Sequence, residues 1–252
     1  WMHCNTISYN VNLDQIVISS RFQNEIFVID HSTTTEQAAG HDGGNSGKGG
    51  DFLYRWGNPQ NYNRGDNLDQ VLSAQHGVNW IHDNYPGGGN FILYNNGYNK
   101  AIEFSPPIDE NGNYFITENE AFGPTDIVWE SPYNASDMQG GAFRLPNGNT
   151  LITDCDDSNI REYTFDGEIV WDYTYTDNML IARAQKYSVN HFGSGEQILG
   201  DLNQDGVVSI FDIIYIVNII LGIEPINILA DINSDNEIDI LDILLLVDII
   251  LS

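Results

Sequence analysis

The sequence predicts a mainly β chain, in which a partial β-propeller is followed by a small α-helical module. Within the first 193 residues, four strand-like segments recur three times in the same order. After residue 200, two loop-and-helix units repeat with apolar residues at helical spacing. Hydrophobic residues make up 41% of the chain and aromatic residues 12%, with 24 Gly, a composition that favours short strands and turns over helical bundles.

The propeller prediction rests on strand order. In each repeat a polar residue (His3, His76 or Gln139) opens the first strand, and the fourth strand ends in Trp. The second strands are predicted at residues 15–18, 90–93 and 149–152, the third at 25–28, 101–104 and 159–162, and the fourth at 53–56, 126–129 and 168–171. Such units are typical of propeller blades, so the three polar residues should line a central channel. With a closing stretch at residues 182–189, about three to four blades are expected.

Charge and hydropathy exclude two classes of partner. With 36 acidic against 9 basic residues, the formal net charge of -27 would repel a phosphate backbone, so no nucleic acid partner is expected. Acidic residues such as Asp212 and Asp242 interrupt the apolar C-terminal stretches, so no membrane span is predicted. Cys4 and Cys155 define no disulfide framework, and a single bridge between them stays open.

The segment from Asp201 to Asp212 matches a twelve-residue calcium loop, with oxygen-bearing side chains at positions 1, 3, 5, 9 and 12 and Gly206 at the sharp turn. About thirty residues later the pattern returns from Asp231 to Asp242, with Asn236 at the turn. Calcium prefers oxygen ligands, and these carboxylates would repel each other without it. The candidate calcium ligands are Asp201, Asn203, Asp205, Val207, Ser209 and Asp212 in the first loop, and Asp231, Asn233, Asp235, Glu237, Asp239 and Asp242 in the second.

A helix is predicted after each loop. Its apolar residues are Ile210, Ile213, Val217, Ile220 and Leu221 in the first unit, and Ile240, Ile243, Val247, Ile250 and Leu251 in the second. No full helix precedes the first loop, whereas a paired EF-hand would have one. The last 52 or so residues therefore resemble a dockerin, a family that also has Asp at position 12.

The dockerin resemblance implies two bound Ca²⁺ ions and, as partner, a cohesin domain on another protein. Cellulosomal dockerins often carry small hydroxyl residues at loop positions 10 and 11. Here these positions hold Ile210-Phe211 and Ile240-Leu241, which leaves the specificity of the partner open. The alternative is a calcium-stabilised cap that packs on the preceding domain.

Motifs in the first 193 residues also resemble a family. In order along the chain, residues 1–5, 18–21, 49–59, 75–80 and 145–152 are similar to motifs of the bacterial arylsulfate sulfotransferases. Two of these are Trp1-Met2-His3-Cys4-Asn5 and the Gln75-His76 pair. The resemblance implies a six-bladed propeller that transfers a sulfuryl group from an aryl sulfate donor to a phenolic acceptor. It also implies a ping-pong route through a sulfohistidine, without a nucleotide donor.

Carried over to this chain, the resemblance makes His76 the nucleophile, with His3 and Arg21 as its partners in the channel. The chemistry agrees, because attack on sulfur needs a neutral imidazole nitrogen. Arg21 would bind sulfuryl oxygens, and His3 would either protonate the leaving phenolate or donate a hydrogen bond to the sulfuryl group. Taken without the resemblance, a histidine in a channel is more often a structural residue, and Arg21 is equally an ion-pairing arginine.

Other polar residues stay open at this stage. Asn95-Asn96-Gly97 is either a polar turn near the channel or a plain surface turn. Arg183 and Lys186 are further cations that could face a ligand. Two other functions also remain. One is a non-catalytic propeller used for binding, and the other is a dockerin-borne component of polysaccharide degradation, although no carboxylate pair suggests a glycosidase dyad.

The expected regions are a propeller part at residues 1–193, a linker at 194–199 and a dockerin at 200–252. The chain opens at Trp1-Met2-His3-Cys4, in what looks like mid-strand and without a leader. We therefore expect further blades and an export signal upstream. A secreted protein, extracellular or periplasmic, is expected.

Overall fold

The computed structural model describes residues 1–134, 136–176, 179–188, 199–203, 207–224, 227–233, 235 and 237–251. The chain divides into two compact units, Trp1–Gln185 and Lys186–Ser252. The linker expected at residues 194–199 lies almost wholly outside the described residues, so it stays a prediction. None of the helices in the described ranges combines the length and the apolar character that a bilayer crossing needs.

The first unit contains three four-stranded antiparallel sheets, each with its strands paired in chain order. The first sheet comprises β1 (Cys4–Asn10), β2 (Gln15–Ser20), β3 (Glu25–Asp30) and β4 (Tyr54–Trp56). The second sheet comprises β5 (His76–Trp80), β6 (Phe91–Asn95), β7 (Lys100–Phe104) and β8 (Trp129–Glu130). The third sheet comprises β9 (Gly141–Arg144), β10 (Thr150–Asp154), β11 (Asn159–Tyr163) and β12 (Ile169–Thr174). The opening strands β1, β5 and β9 lie side by side. This is the arrangement of propeller blades, and the prediction of a mainly β, partial propeller is confirmed.

The predicted strands coincide with observed strands, but some ends differ. The fourth strand of the second blade begins at Trp129 instead of ending there. In the third blade, β12 continues beyond Trp171 to Thr174, because β11 offers pairing partners as far as Asn159. A short helix, α1 (Thr35–Ala38), lies in the long connection between β3 and β4.

Adjacent blades are joined by the Trp of the fourth strand. Trp56 stacks on Phe104 of the next blade with ring centroids 3.7 Å apart, and its indole N–H donates to a backbone carbonyl in the loop before β8 at 2.9 Å. Trp129 likewise donates to the carbonyl of Phe165 in the third blade at 2.7 Å. Trp171 is 45% exposed. The recurrent Trp is therefore an interblade contact wherever a following blade is described.

The two cysteines are free thiols, with Cys4 exposed and Cys155 buried. Burial raises the pKa of the Cys155 thiol, and the negative charges of Asp156 and Asp154 raise it further. The bridge left open by the sequence is therefore not formed in the structure.

The second unit contains α2 (Ile210–Ile220) and α3 (Ile240–Leu251), as the repeat predicts. Its core contains Leu202, Ile216, Ile219, Ala230, Ile232 and Leu246. The predicted apolar face was partly wrong, because Ile210 and Ile240 are exposed while Ile216 and the equivalent Leu246 are buried. Nearly every position of these helices is apolar, so spacing alone could not identify the side that packs.

The interblade role of Trp56 predicts a stability difference. Trp56→Phe leaves a backbone carbonyl without its donor and shrinks a buried ring, so we expect a loss of about 2 kcal/mol in the free energy of unfolding. Trp171→Phe, at an exposed site, should change it by less than about 0.5 kcal/mol. Urea denaturation followed by circular dichroism measures both, and equal effects would contradict the assigned role.

Candidate functional site

A cavity of about 500 Å³ lies in the first unit, where the opening strands of the three blades begin. Its walls are formed by His3, Asn5, Thr6, His76, Gly77, Gln139, Gly140, Ala182 and Arg183. The three polar residues expected to line the channel are all present. Each stands at or within two positions of the start of its strand, so the equivalence between the blades is real.

His3 and Arg21 face each other across the end of the β1–β2 hairpin. The backbone N–H of Arg21 donates to the carbonyl of His3 at 3.1 Å, and His3 has a left-handed φ of 51°. The rings of His3 and His76 meet edge to face with centroids 5.9 Å apart. Arg21 is not among the cavity-lining residues, and its buried Nε has no hydrogen-bond partner in the described part of the chain. Two of the three candidate catalytic residues therefore line the cavity, and the third, Arg21, is close enough for its charge to act on His76 without being part of the lining.

His76 is buried and is held by the turn that follows β6. Its Nδ1 lies 2.8 Å from Oδ1 of Asn96. The side-chain amide of Asn96 donates to the carbonyls of Ser136 at 2.7 Å and Gln139 at 2.6 Å. Since the amide nitrogen faces two carbonyl oxygens, Oδ1 is the acceptor and Nδ1 of His76 carries the proton.

The other ring nitrogen of His76, Nε2, is then the unprotonated one in the neutral side chain. It is buried and has no hydrogen-bond partner among the described residues. A buried polar atom ordinarily has such a partner. His76 lines the cavity, and an unpartnered imidazole lone pair is suited to attack an electrophile or to accept a hydrogen bond from a ligand that reaches it.

Burial lowers the pKa of His76 below the ordinary value for histidine. The hydrogen bonds to Asn96 and to the backbone of Ala74 oppose this, while the positive charges of Arg21 and His3 lower the pKa further. The imidazole is therefore neutral under conditions in which a solvated histidine would be partly protonated.

Blades 1 and 2 are fastened beside His76 by two more polar contacts. The hydroxyl of Thr6 accepts the backbone N–H of Gly77 at 2.9 Å, and the amide of Asn5 donates to the carbonyl of Gln75 at 2.8 Å. Sequence reasoning assigned no role to Asn5 or Thr6, and it left Asn96 as one of two alternatives. Asn5 lies within a motif already noted, but only the packed structure shows which atoms it contacts.

The second unit presents the two candidate calcium loops, each closed by a fully buried Asp at position 12. Asp212 accepts backbone N–H bonds from Leu202 at 2.7 Å, Asn203 at 3.1 Å and Ser209 at 2.8 Å. Asp242 makes the equivalent bonds with Ile232 at 2.8 Å, Asn233 at 3.2 Å and Asp239 at 2.8 Å. In the described residues the two loops therefore share the same hydrogen bonds, in which the carboxylate at position 12 connects the start of the loop to the start of the helix.

The donor set of these loops fits a hard cation. From residue 199 onwards the sequence has no Lys, Arg or His, so no side chain of this segment balances the loop carboxylates. The described residues contain no group of three His, Cys, Asp or Glu side chains gathered as in a closed metal site, and the amide of Asn233 instead donates to Asp235 at 2.8 Å. The candidate ligand Asp205 and the turn residues Gly206 and Asn236 lie outside the described residues.

Comparison with solved structures gives only distant similarities. Virginiamycin B lyase from Staphylococcus aureus is 14% identical with a TM-score of 0.39, covering 70% of this chain and 42% of that one. BamB from Moraxella catarrhalis is 12% identical with a TM-score of 0.33, covering 68% and 37%. The chain thus spans less than half the length of either protein. The comparison with curated proteins found no match.

Comparison with family models identifies two segments. Residues 1–116 match the arylsulfotransferase (ASST) model, and this segment contains His3, Arg21, His76 and Asn96. Residues 199–251 match the dockerin type I domain and include both calcium-type loops. Both resemblances drawn from the sequence are confirmed: residues 1–116 are similar to the arylsulfotransferase family and residues 199–251 to dockerin type I domains, while the motif noted at residues 145–152 lies beyond the matched segment.

Proposed function

We propose that this protein transfers a sulfuryl group from a phenolic sulfate ester to a phenol through a sulfohistidine at Nε2 of His76. The observation that carries the proposal is the state of that atom, which is buried, unprotonated in the neutral ring and unpartnered among the described residues, in a histidine that lines the cavity. The match of residues 1–116 to the arylsulfotransferase model supports the same chemistry.

In the first half-reaction, Nε2 of His76 attacks the sulfur of the donor. The bond between sulfur and the aryl oxygen breaks, and its electron pair leaves on the phenolate oxygen, which takes a proton from His3. Positive charge develops on the His76 ring. The Nδ1–H bond to Asn96 holds the ring in place and stabilises that charge.

In the second half-reaction, the acceptor phenol gives its proton to His3, and its oxygen attacks the sulfur of the sulfohistidine. The bond between nitrogen and sulfur breaks and returns the lone pair to Nε2. Negative charge spread over the sulfuryl oxygens is stabilised by the nearby charge of Arg21. The two halves together exchange one ester for another without net redox change.

The dockerin type I domain supplies the attachment in this proposal. Two Ca²⁺ ions would be held by the oxygen donors of the loops closed by Asp212 and Asp242, and their charge would offset the carboxylates. Positions 10 and 11 of the loops form two exposed apolar pairs, Ile210-Phe211 and Ile240-Leu241. The cohesin partner should therefore present an apolar surface. The enzyme would act as an exported protein displayed on that partner.

Covalent trapping tests the sulfohistidine. After incubation with radiolabelled 4-nitrophenyl sulfate and no acceptor, we expect acid-labile label on the wild-type protein and none on His76→Ala. His82→Ala, which removes an exposed histidine of the same blade, should keep the label. Asn96→Ala should lower kcat by about 10- to 100-fold, because the ring loses its orienting acceptor.

Label on His76→Ala at the wild-type level would eliminate the proposed nucleophile. Absence of both label and turnover, with the donor still bound, would instead indicate a propeller that only binds its ligand.

The lowered pKa of His76 predicts two pH effects. On the acid side, activity should fall only below the usual range of histidine, because Nε2 of His76 must be unprotonated. The free energy of unfolding should also decrease as the pH falls from about 7 to 5, since the unfolded chain gains a proton at residue 76 that the folded chain resists. Urea unfolding of wild type and His76→Gln isolates this contribution, and parallel pH profiles would refute it.

Calcium titration tests the loops. Isothermal titration calorimetry should give two ions for the wild type and one each for Asp212→Asn and Asp242→Asn, with a gain of helical circular dichroism on binding. Asp248→Asn, which changes an exposed carboxylate of α3 outside the loops, should still bind two. Retention of two ions by both loop variants would overturn the site. Capture by a panel of cohesin domains should require calcium.

A further inference from the structure

Arg183 is a cavity-lining cation that the proposed mechanism does not use. It lies beyond the third blade, in a segment fastened to that blade at both ends: the hydroxyl of Ser158 donates to the carbonyl of Met179, and the backbone N–H of Ala184 donates to the hydroxyl of Thr153 at 2.9 Å. These two hydrogen bonds hold the segment in a position in which Arg183 forms part of the cavity wall.

The Arg183 side chain packs against a glycine that leaves space for it. A Cβ at Gly141, the first residue of β9, would lie 3.1 Å from Cγ of Arg183, so a larger residue would press on the arginine stem. A Cβ at Gly77, next to His76, would lie 3.2 Å from Cα of Gly141. Two glycines thus let β5, β9 and the arginine stem approach closely, which places Arg183 on the third-blade side of the cavity.

Arg183 belongs to the Lys and Arg side chains that form no ion pair with a carboxylate in the described part of the chain, and among these it is the one in the cavity lining. Four other basic side chains pair with carboxylates: Arg55 with Glu25, Lys100 with Glu130, Arg144 with Glu103 and Arg161 with Asp172. Arg183 is exposed and pairs with no carboxylate in the described part of the chain, although acidic residues outnumber basic ones 36 to 9. The guanidinium carbon of Arg183 lies 6.0 Å from the centroid of the Phe143 ring, at the limit of a cation–π contact.

We propose that Arg183 forms a second anion-binding subsite, which selects aryl sulfates that carry a further anionic group such as a carboxylate. This rests on the proposed sulfuryl transfer. The transferred group must reach Nε2 of His76, where His3 and Arg21 of the first blade supply positive charge. Arg183 enters from the third-blade side, so it holds a different part of the ligand, and a cavity of about 500 Å³ has room for a substituted ring.

The test compares two donors, 4-nitrophenyl sulfate and 4-carboxyphenyl sulfate, on wild type, Arg183→Gln and Arg183→Lys. Arg183→Gln should lower kcat/KM for the carboxylated donor by about 10- to 100-fold, the usual effect of losing a hydrogen bond to a charged group, and change it less than about threefold for the other. Arg183→Lys should recover part of the loss. Arg64→Gln, at an exposed arginine hydrogen-bonded to Asn119, should leave both values unchanged.

Equal losses of kcat/KM for the two donors would indicate that Arg183 binds the transferred sulfate, and this would overturn the subsite. No loss of kcat/KM for either donor would also overturn it. If neither donor is turned over, the sulfuryl-transfer proposal fails, and binding decides the subsite separately. The unreactive 4-sulfobenzoate should then bind wild type at least about 10-fold more tightly than benzenesulfonate, and Arg183→Gln should remove the difference. Equal binding of the two sulfonates to the wild type would overturn the subsite.

Discussion

The hydrogen bond from His76 to Asn96 is the contact on which the rest of the site depends. Asn96 can accept only at its oxygen, because its nitrogen donates to Ser136 and Gln139 just before the third blade. The proton on Nδ1, and hence the lone pair on Nε2, is thus set by packing between the second and third blades. A rigid interface between blades is therefore a chemical requirement as well as a structural one.

The aryl sulfate substrate proposed above would have to overcome the charge of the whole molecule. At a net charge of -27, the long-range field opposes its approach, and local cations have to offset this. The chain places Arg55 and Arg144 in ion pairs with buried carboxylates, where they join strands and blades. Arg183 lines the cavity, and the charge of Arg21 acts on His76. In the described residues neither arginine forms an ion pair with a carboxylate. Whether an arginine is available to a ligand therefore depends on where it lies in the fold and not on how many arginines the chain has.

The dockerin-like segment contains the same loop closure twice. In both loops the position-12 carboxylate is fully buried and accepts three backbone N–H bonds, so loop closure and the start of the helix depend on the same side chain. The helices then bury Ile216 and Leu246 at equivalent positions and leave the apolar pairs at positions 10 and 11 exposed. Internal repetition thus produces two similar surfaces on one small domain.

The sequence by itself determined the order of the blades, the two loop-helix units, and His3 and His76 as residues at the channel, because strand alternation and loop spacing are local patterns. It could not identify the packed side of α2 and α3, where nearly all positions are apolar. Only the tertiary structure decided that Asn96 orients the imidazole, that Arg21 is not part of the cavity lining and that Arg183 is. These contacts join segments distant in sequence, so their geometry depends on how blades pack and not on residue spacing.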